Sequence, residues 1–186
     1  MERIGIYGGS FNPPHLGHIR AAQWAVDSLS LSKLLLIPCN ISPGKPECAD
    51  KADPEIRLQL LQLAAEGCEK LELCDMELQR GGVSYTCDTV LQLRKTYPDA
   101  ELILCMGSDA FTHFESWKDI HTILQNAALA VFHRGKRSDD MTQVQARLEA
   151  MGAKVYILEN PVTQISSTQL RRLLASGARI PSWIPG

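Results

Sequence analysis

The sequence predicts an α/β protein built on a doubly wound, mostly parallel sheet with a short C-terminal helical segment. Three observations carry this prediction. Apolar runs of strand length alternate with amphipathic runs of helix length along the chain. The strand-length runs at 33–38 and 101–106 are continuously apolar rather than alternating, as expected of strands buried on both faces of a parallel sheet. The two strongest loop motifs, Gly8-Gly9-Ser10 and Gly107-Ser108-Asp109, follow the first and fourth strand candidates. In a Rossmann-like order those two strands are neighbours at the switch point, where ligands sit beyond the carboxyl ends. A length of 186 residues favours a single domain, 1–186, with one large core.

The elements follow in order. Residues 3–7 (Arg-Ile-Gly-Ile-Tyr) read as a buried strand, and roughly 17–29 as an amphipathic helix. After the strand at 33–38, residues 39–53 are rich in Pro, Gly, Ser and Asn and form a long loop at a strand's carboxyl end, a length that is often functional. Asp53-Pro54-Glu55 is a helix start, with an N-cap and proline in the first position, and the helix runs to about Glu66. Residues 71–74 form a short strand, and 76–79 are expected to be extended up to the Gly81-Gly82 turn. Ser84 to Thr89 opens a helix that reaches about Tyr97 and is closed by Pro98. Residues 110–126 are helical with a break near Ser116-Trp117, 127–133 a strand, 139–151 a helix, 154–158 a last strand, and 167–175 a short final helix.

Composition narrows the class. With 45% hydrophobic and 22% charged residues the chain is an ordinary soluble globular protein. A net charge of -2 gives no electrostatic footprint for nucleic acid, so any phosphate must be bound by local geometry. No apolar run approaches membrane-spanning length, and the first residues run straight into a strand, so no membrane partner and no signal peptide are expected. The six cysteines include no C-x-x-C pair and read as small hydrophobes in a reducing cytoplasm.

The chain is organised around Gly8-Gly9-Ser10-Phe11-Asn12-Pro13-Pro14-His15-Leu16-Gly17-His18, a strand-to-helix turn. Such a turn points backbone N–H groups and a helix N-terminus at an anion. Glycines there allow a phosphate to come close. His15 and His18, three apart, share a helix face and look into one crevice. A zinc reading needs a third ligand, and no Glu or Cys stands at helical spacing, so no metal site is expected. A second string, Ile165-Ser166-Ser167-Thr168-Gln169-Leu170-Arg171, reads as a capping box with Ser166 as N-cap and Gln169 three residues on. A hydroxyl-lined helix start with an arginine beside it also suits a polyphosphate.

The first string resembles the His-x-Gly-His signature of the nucleotidyltransferase superfamily, and the second its Ile-Ser-Ser-Thr signature followed by Arg. Within that superfamily the Gly-Gly-Ser-Phe-Asn-Pro-Pro-His form is most similar to the bacterial nicotinate mononucleotide adenylyltransferases. Ser84-Tyr85-Thr86-Cys87-Asp88-Thr89 resembles that family's Ser-Tyr-Thr-x-Asp-Thr motif, and Gly107-Ser108-Asp109 with Trp117 its Gly-x-Asp…Trp pattern. The resemblance implies ATP and nicotinate mononucleotide as substrates, Mg²⁺ arriving with ATP, a cytoplasmic enzyme, and leaves a homo-oligomer open. It implies that His15 and His18 are catalytic. ATP would meet Gly8, Gly9, Ser10, Phe11, Gly107, Asp109, Ser166, Ser167, Thr168 and Arg171, with Asp109 on ribose hydroxyls. The mononucleotide would meet Ser84, Tyr85 and Thr86, with Trp117 stacked on its pyridine ring. Lys45 follows Ser42-Pro43-Gly44 where the family reads Pro-Pro-His-Lys, and Arg134 ends a strand on the ligand edge; both are assigned to substrate binding. The alternatives are a phosphopantetheine adenylyltransferase, which shares the His-x-Gly-His turn, a cytidylyltransferase, and a non-catalytic nucleotide-sensing module.

Overall fold

The computed structural model describes residues 1–43, 52–133, 138–159 and 165–177. Among them, six parallel strands form one sheet: β1 (Arg3–Gly9), β2 (Lys33–Pro38), β3 (Leu71–Leu73), β4 (Glu101–Gly107), β5 (Ala128–His133) and β6 (Val155–Glu159). Their order is β3-β2-β1-β4-β5-β6, so the chain winds outward from β1 and then restarts at β4 on the other side. This is the doubly wound arrangement expected, with β1 and β4 adjacent at the reversal.

Helices cover both faces. On one lie α1 (Leu16–Ser28) and α2 (Pro54–Ala65), whose Ile19, Ala22, Ala25 and Leu61 pack on Leu34, Leu36 and Ile103. The alanines of α1 bring its backbone close to the sheet. On the other lie α4 (Thr86–Thr96), α5 (Ser108–Thr112), α6 (Ile120–Asn126) and α7 (Asp139–Ala150), with Val90, Leu93, Phe111, Phe114 and Ile123 against Ile4, Ile6, Leu102 and Leu104. A short 3₁₀ turn at Phe114–Ser116 and the left-handed Asp119 (φ 50°) make the break between α5 and α6. A last helix, α8 (Ser167–Ala175), carries the capping box in full: Ser166 Oγ accepts from the Gln169 N–H, and Gln169 reaches back to the Ser166 N–H.

One expectation is corrected. Residues 76–79 are not extended; Met76–Arg80 is a helix, α3. All five residues are good helix formers. The glycine read as a strand-ending turn is instead its C-cap: Gly81 has φ 69° and donates its N–H to Glu77.

The sheet opens at its crest. β1 pairs with β2 as far as Gly9 opposite Pro38, and β4 with β5 as far as Gly107 opposite Phe132. Between β1 and β4 the ladder stops at Ile6 opposite Leu104. Tyr7, Gly8 and Gly9 therefore part from Cys105, Met106 and Gly107, and both glycine turns leave from the two lips of that seam.

Candidate active site

The turn after β1 is held from several sides. The Cys39 N–H donates to the Gly9 carbonyl (2.9 Å), extending the β1–β2 ladder. In a trans peptide the carbonyl and the following N–H point in opposite directions. The Ser10 N–H is thereby turned away from β2. Gly8 faces open space, since a Cβ there would meet nothing closer than the Ile37 carbonyl at 3.9 Å. Gly9 lacks a Cβ for a different reason: one there would lie 3.3 Å from the Phe11 ring. Phe11 itself is left-handed (φ 44°) and buried. That conformation costs about 1–3 kcal/mol for a non-glycine residue. Burying its ring edge-on to Tyr7 and His18, with centroids 5.8 and 5.1 Å away, offsets the cost.

The two histidines meet as their spacing predicts. His15 is the N-cap of α1 and His18 lies in its first turn, with rings stacked 3.7 Å apart at 22°. The His15 backbone N–H donates to His18 Nδ1 (3.2 Å), one half of a capping box. An Nδ1 that accepts leaves the proton on Nε2, so His18 presents an Nε2–H donor on its outer edge.

Helix α8 sits on this turn. Ser167 Oγ donates to the Pro13 carbonyl (2.9 Å) and Arg171 Nη1 to the Asn12 carbonyl (2.7 Å), while Arg171 Nη2 reaches Thr168 Oγ1 (3.3 Å). Two strings more than 150 residues apart in sequence are thus in direct contact. Ser167 and Arg171 spend donors on the turn's backbone, whereas Ser166 and Thr168 are exposed.

On the other side of the crest, Ser84, Tyr85 and Thr86 lead into α4. The Ser84 hydroxyl is buried and accepts from the Asn40 N–H (2.9 Å), and the Ser84 N–H donates to the Ile41 carbonyl (2.8 Å). Behind it lies the buried Glu77 carboxylate, which accepts from Thr89 Oγ1 (2.6 Å) and hydrogen-bonds the Ser84 side chain. Burial raises the Glu77 carboxyl above the usual glutamate value, opposed by those hydrogen bonds and by Arg80. Ser84 therefore faces inward and braces the loop, leaving Tyr85 and Thr86 half-buried at the edge. The Lys118 ammonium lies over the Tyr85 ring (4.1 Å to its centroid), and the neighbouring Trp117 leans on Phe114 (5.1 Å between centroids). The Ser-Tyr-Thr string and Trp117 are accordingly neighbours. Gly107 ends β4 and Asp109 stands exposed in the first turn of α5. Lys45 and Arg134 lie outside the described residues.

Sequence reasoning missed Arg57. It is fully buried on α2, in the apolar stripe with Leu61, Ala64 and Ala65, where an arginine is itself a signal. Its Nη1 donates to the Ser10 carbonyl (2.7 Å) and its Nε to the Ala52 carbonyl (3.2 Å), and the Ala52 N–H donates to Asn12 Oδ1 (3.0 Å). Burial pulls this guanidinium below the ordinary arginine value, with the Cys39 thiol and Asp53 opposing. Among the described residues no three His, Cys, Asp or Glu side chains are gathered to hold a metal ion, and no helix is long and apolar enough to cross a membrane.

A parallel sheet split at its switch point, with a histidine-bearing turn on one lip and a serine-capped helix folded over it, defines a nucleotidyltransferase. The model of the cytidylyltransferase-like family matches residues 6–173. A protein of Shewanella sp. strain MR-7, named a probable nicotinate-nucleotide adenylyltransferase, is 37% identical over 94% of this chain and 89% of its own length. One of Clostridium tetani with the same name is 33% identical over the whole of this chain and 93% of its own. The nicotinic acid mononucleotide adenylyltransferase of Plasmodium falciparum, solved in complex with APC, has the same fold at a TM-score of 0.76 and 18% identity, covering 97% of this chain and 87% of that one. The chain belongs to the nicotinate-nucleotide adenylyltransferase family.

Proposed function

We propose that this chain transfers AMP from ATP to nicotinate mononucleotide, giving nicotinate adenine dinucleotide and pyrophosphate. The observation that carries the reading is the pair of bonds from Ser167 and Arg171 to the Pro13 and Asn12 carbonyls, which close both signature strings around one crevice. The mononucleotide's 5′-phosphate is already an ionised nucleophile. It attacks the α-phosphorus in line; a new P–O bond forms, the bond to the bridging oxygen breaks, and pyrophosphate leaves with that electron pair. No covalent intermediate and no strong base are needed, so the protein's work is positioning and charge stabilisation.

In this reading the His18 Nε2–H donates to the α-phosphate, and His15 serves the phosphates being displaced. The N–H groups along Gly8, Gly9, Ser10 and Phe11 cradle phosphate oxygens. Ser166, Ser167, Thr168 and Arg171 close over the triphosphate, and Asp109, beside Gly107, takes the ribose hydroxyls. Trp117 stacks on the pyridine ring with Tyr85 and Thr86 at its edge, while Ser84 holds that edge in place. Mg²⁺ would arrive with ATP as part of the substrate and would supply charge shielding for the phosphates, with no ligand cluster among the described residues to hold it.

The test is pyrophosphate release from ATP with nicotinate mononucleotide, nicotinamide mononucleotide or phosphopantetheine as acceptor. Release is expected with nicotinate mononucleotide. Release with phosphopantetheine alone, or ATP binding with no release from any acceptor, overturns the reading.

A further inference from the structure

Burying a guanidinium is costly, and structures retain one where hydrogen bonds and an opposite charge repay it. Arg57 is fully buried, and among the described residues its Nη2 has no hydrogen-bond partner. Among the described residues no carboxylate lies within ion-pair distance of it. Its other donors hold the carbonyls of Ser10, in the turn, and Ala52, which in turn ties down Asn12. The Ser10–Phe11 peptide is trans, so drawing the Ser10 carbonyl toward α2 aims the Phe11 N–H the opposite way, out of the core.

We infer that Arg57 is a positioning residue of the phosphate site. It aims the Phe11 N–H by gripping the Ser10 carbonyl, and its charge, which has no ion-pair partner among the described residues, is complemented by the polyphosphate of the nucleotide. This rests on the reading that the triphosphate lies on the Gly8–His18 turn. It adds a role for a side chain that touches neither reacting atom.

A ladder of ligands separates this role from a merely structural one. Arg57→Met keeps the length of the stem and removes the charge and the fork; Arg57→Lys keeps the charge alone. Calorimetric binding of adenosine, AMP and MgATP to the full chain is the readout, with acceptor KM measured alongside. For Arg57→Met the loss should grow with phosphate number: adenosine within about twofold of wild type, ATP weaker by about tenfold to a hundredfold, AMP between them. Arg57→Lys should recover part of the ATP affinity, and acceptor KM should move in neither variant. Equal losses for adenosine and ATP, or no loss for ATP, overturn the inference. If Arg57→Met does not fold, Arg57→Lys decides alone: its ATP affinity must fall while adenosine binding holds, and unchanged ATP binding overturns the inference. His18→Asn distinguishes the two levels. Native turnover there removes the phosphate-site reading itself, whereas lost turnover with native ATP binding in the Arg57 variants removes only the role of Arg57.

Discussion

His18 carries two functions on two nitrogens, and two substitutions separate them. Nδ1 accepts the His15 N–H at 3.2 Å and so caps α1, while in the proposed reaction Nε2–H is the donor to the α-phosphate. Asparagine places its carbonyl oxygen where Nδ1 stood and has nothing at the Nε2 position. Glutamine places an amide N–H near Nε2 and leaves the His15 N–H without its acceptor. The cap is long for a hydrogen bond, so its loss belongs at the low end of the capping range, about 0.5–1 kcal/mol. In a chain of this size about 1 kcal/mol corresponds to a Tm shift of about 2–4 °C. Loss of a preorganised transition-state donor costs about a hundredfold to a thousandfold in kcat. His18→Asn should therefore melt within about 1 °C of wild type and lose about 10²–10³ in kcat, with ATP KM changed much less. His18→Gln should melt lower by about 1–4 °C and keep kcat within about tenfold. Thermal melts and single-turnover adenylyl transfer measure both. Near-native kcat in His18→Asn would refute the assignment of the donor to His18. A stability loss in His18→Asn equal to that in His18→Gln would refute the assignment of Nδ1 to the cap.

Trp117→Ala should raise acceptor KM by up to about tenfold and leave kcat near wild type, because stacking is present in ground and transition states alike; steady-state kinetics in which only ATP KM moves would misplace the pyridine pocket. Glu77→Gln tests the buried carboxyl. Since burial raises the Glu77 value in the folded state, the stabilisation linked to its proton is complete below the ordinary glutamate range and is lost as pH rises through the raised value. Urea denaturation across that interval should show wild type losing stability relative to Glu77→Gln as pH increases, and a parallel pair of curves would contradict it. Gly5→Ala should cost about 1–3 kcal/mol by overpacking, because its Cβ would lie 2.7 Å from Leu31 Cδ1 and 3.0 Å from Leu34 Cδ1, both buried. Its melting temperature would report this directly.

Signals confined to a few neighbouring residues were readable in the chain. The Asp53 cap followed by Pro54, the Ser166–Gln169 box and the stacked His15 and His18 all follow from local geometry at spacings of one to three. The adjacency of β1 and β4 was legible because a Rossmann-like order places the first and fourth strands together at the switch point. Features that depend on distant partners were not. The inward turn of Ser84 is set by Asn40 and Glu77, one of them 44 residues away, and no periodicity announces it. Met76–Arg80 failed for the opposite reason: a five-residue run is too short to show a period, and a left-handed glycine ends strands and helices alike. Arg57 was visible as a charge in an apolar stripe, but its meaning needed the Ser10 carbonyl, 47 residues earlier.

These distant contacts suit the proposed polyphosphate site in a chain with a net charge of -2. The cations that matter are turned onto backbone carbonyls rather than spread over the surface. Arg57 holds Ser10 from beneath the turn and Arg171 holds Asn12 from above it, so the segment between them is clamped by two guanidiniums. Pinning carbonyls in this way leaves N–H groups as what the turn can offer a ligand, and at Arg57 it places a positive charge beneath the turn where solvent does not reach it. In the proposed reaction, oriented amides backed by the buried Arg57 would need little reorganisation as pyrophosphate leaves, which is the condition under which electrostatic stabilisation is most effective. The seam between β1 and β4 supplies the space, but rigidity comes from α2 and α8, one on each side of Asn12. Docking of α8 thus belongs to the proposed phosphate site: its Ser167 and Arg171 bonds to the Pro13 and Asn12 carbonyls complete the clamp whose other half is Arg57.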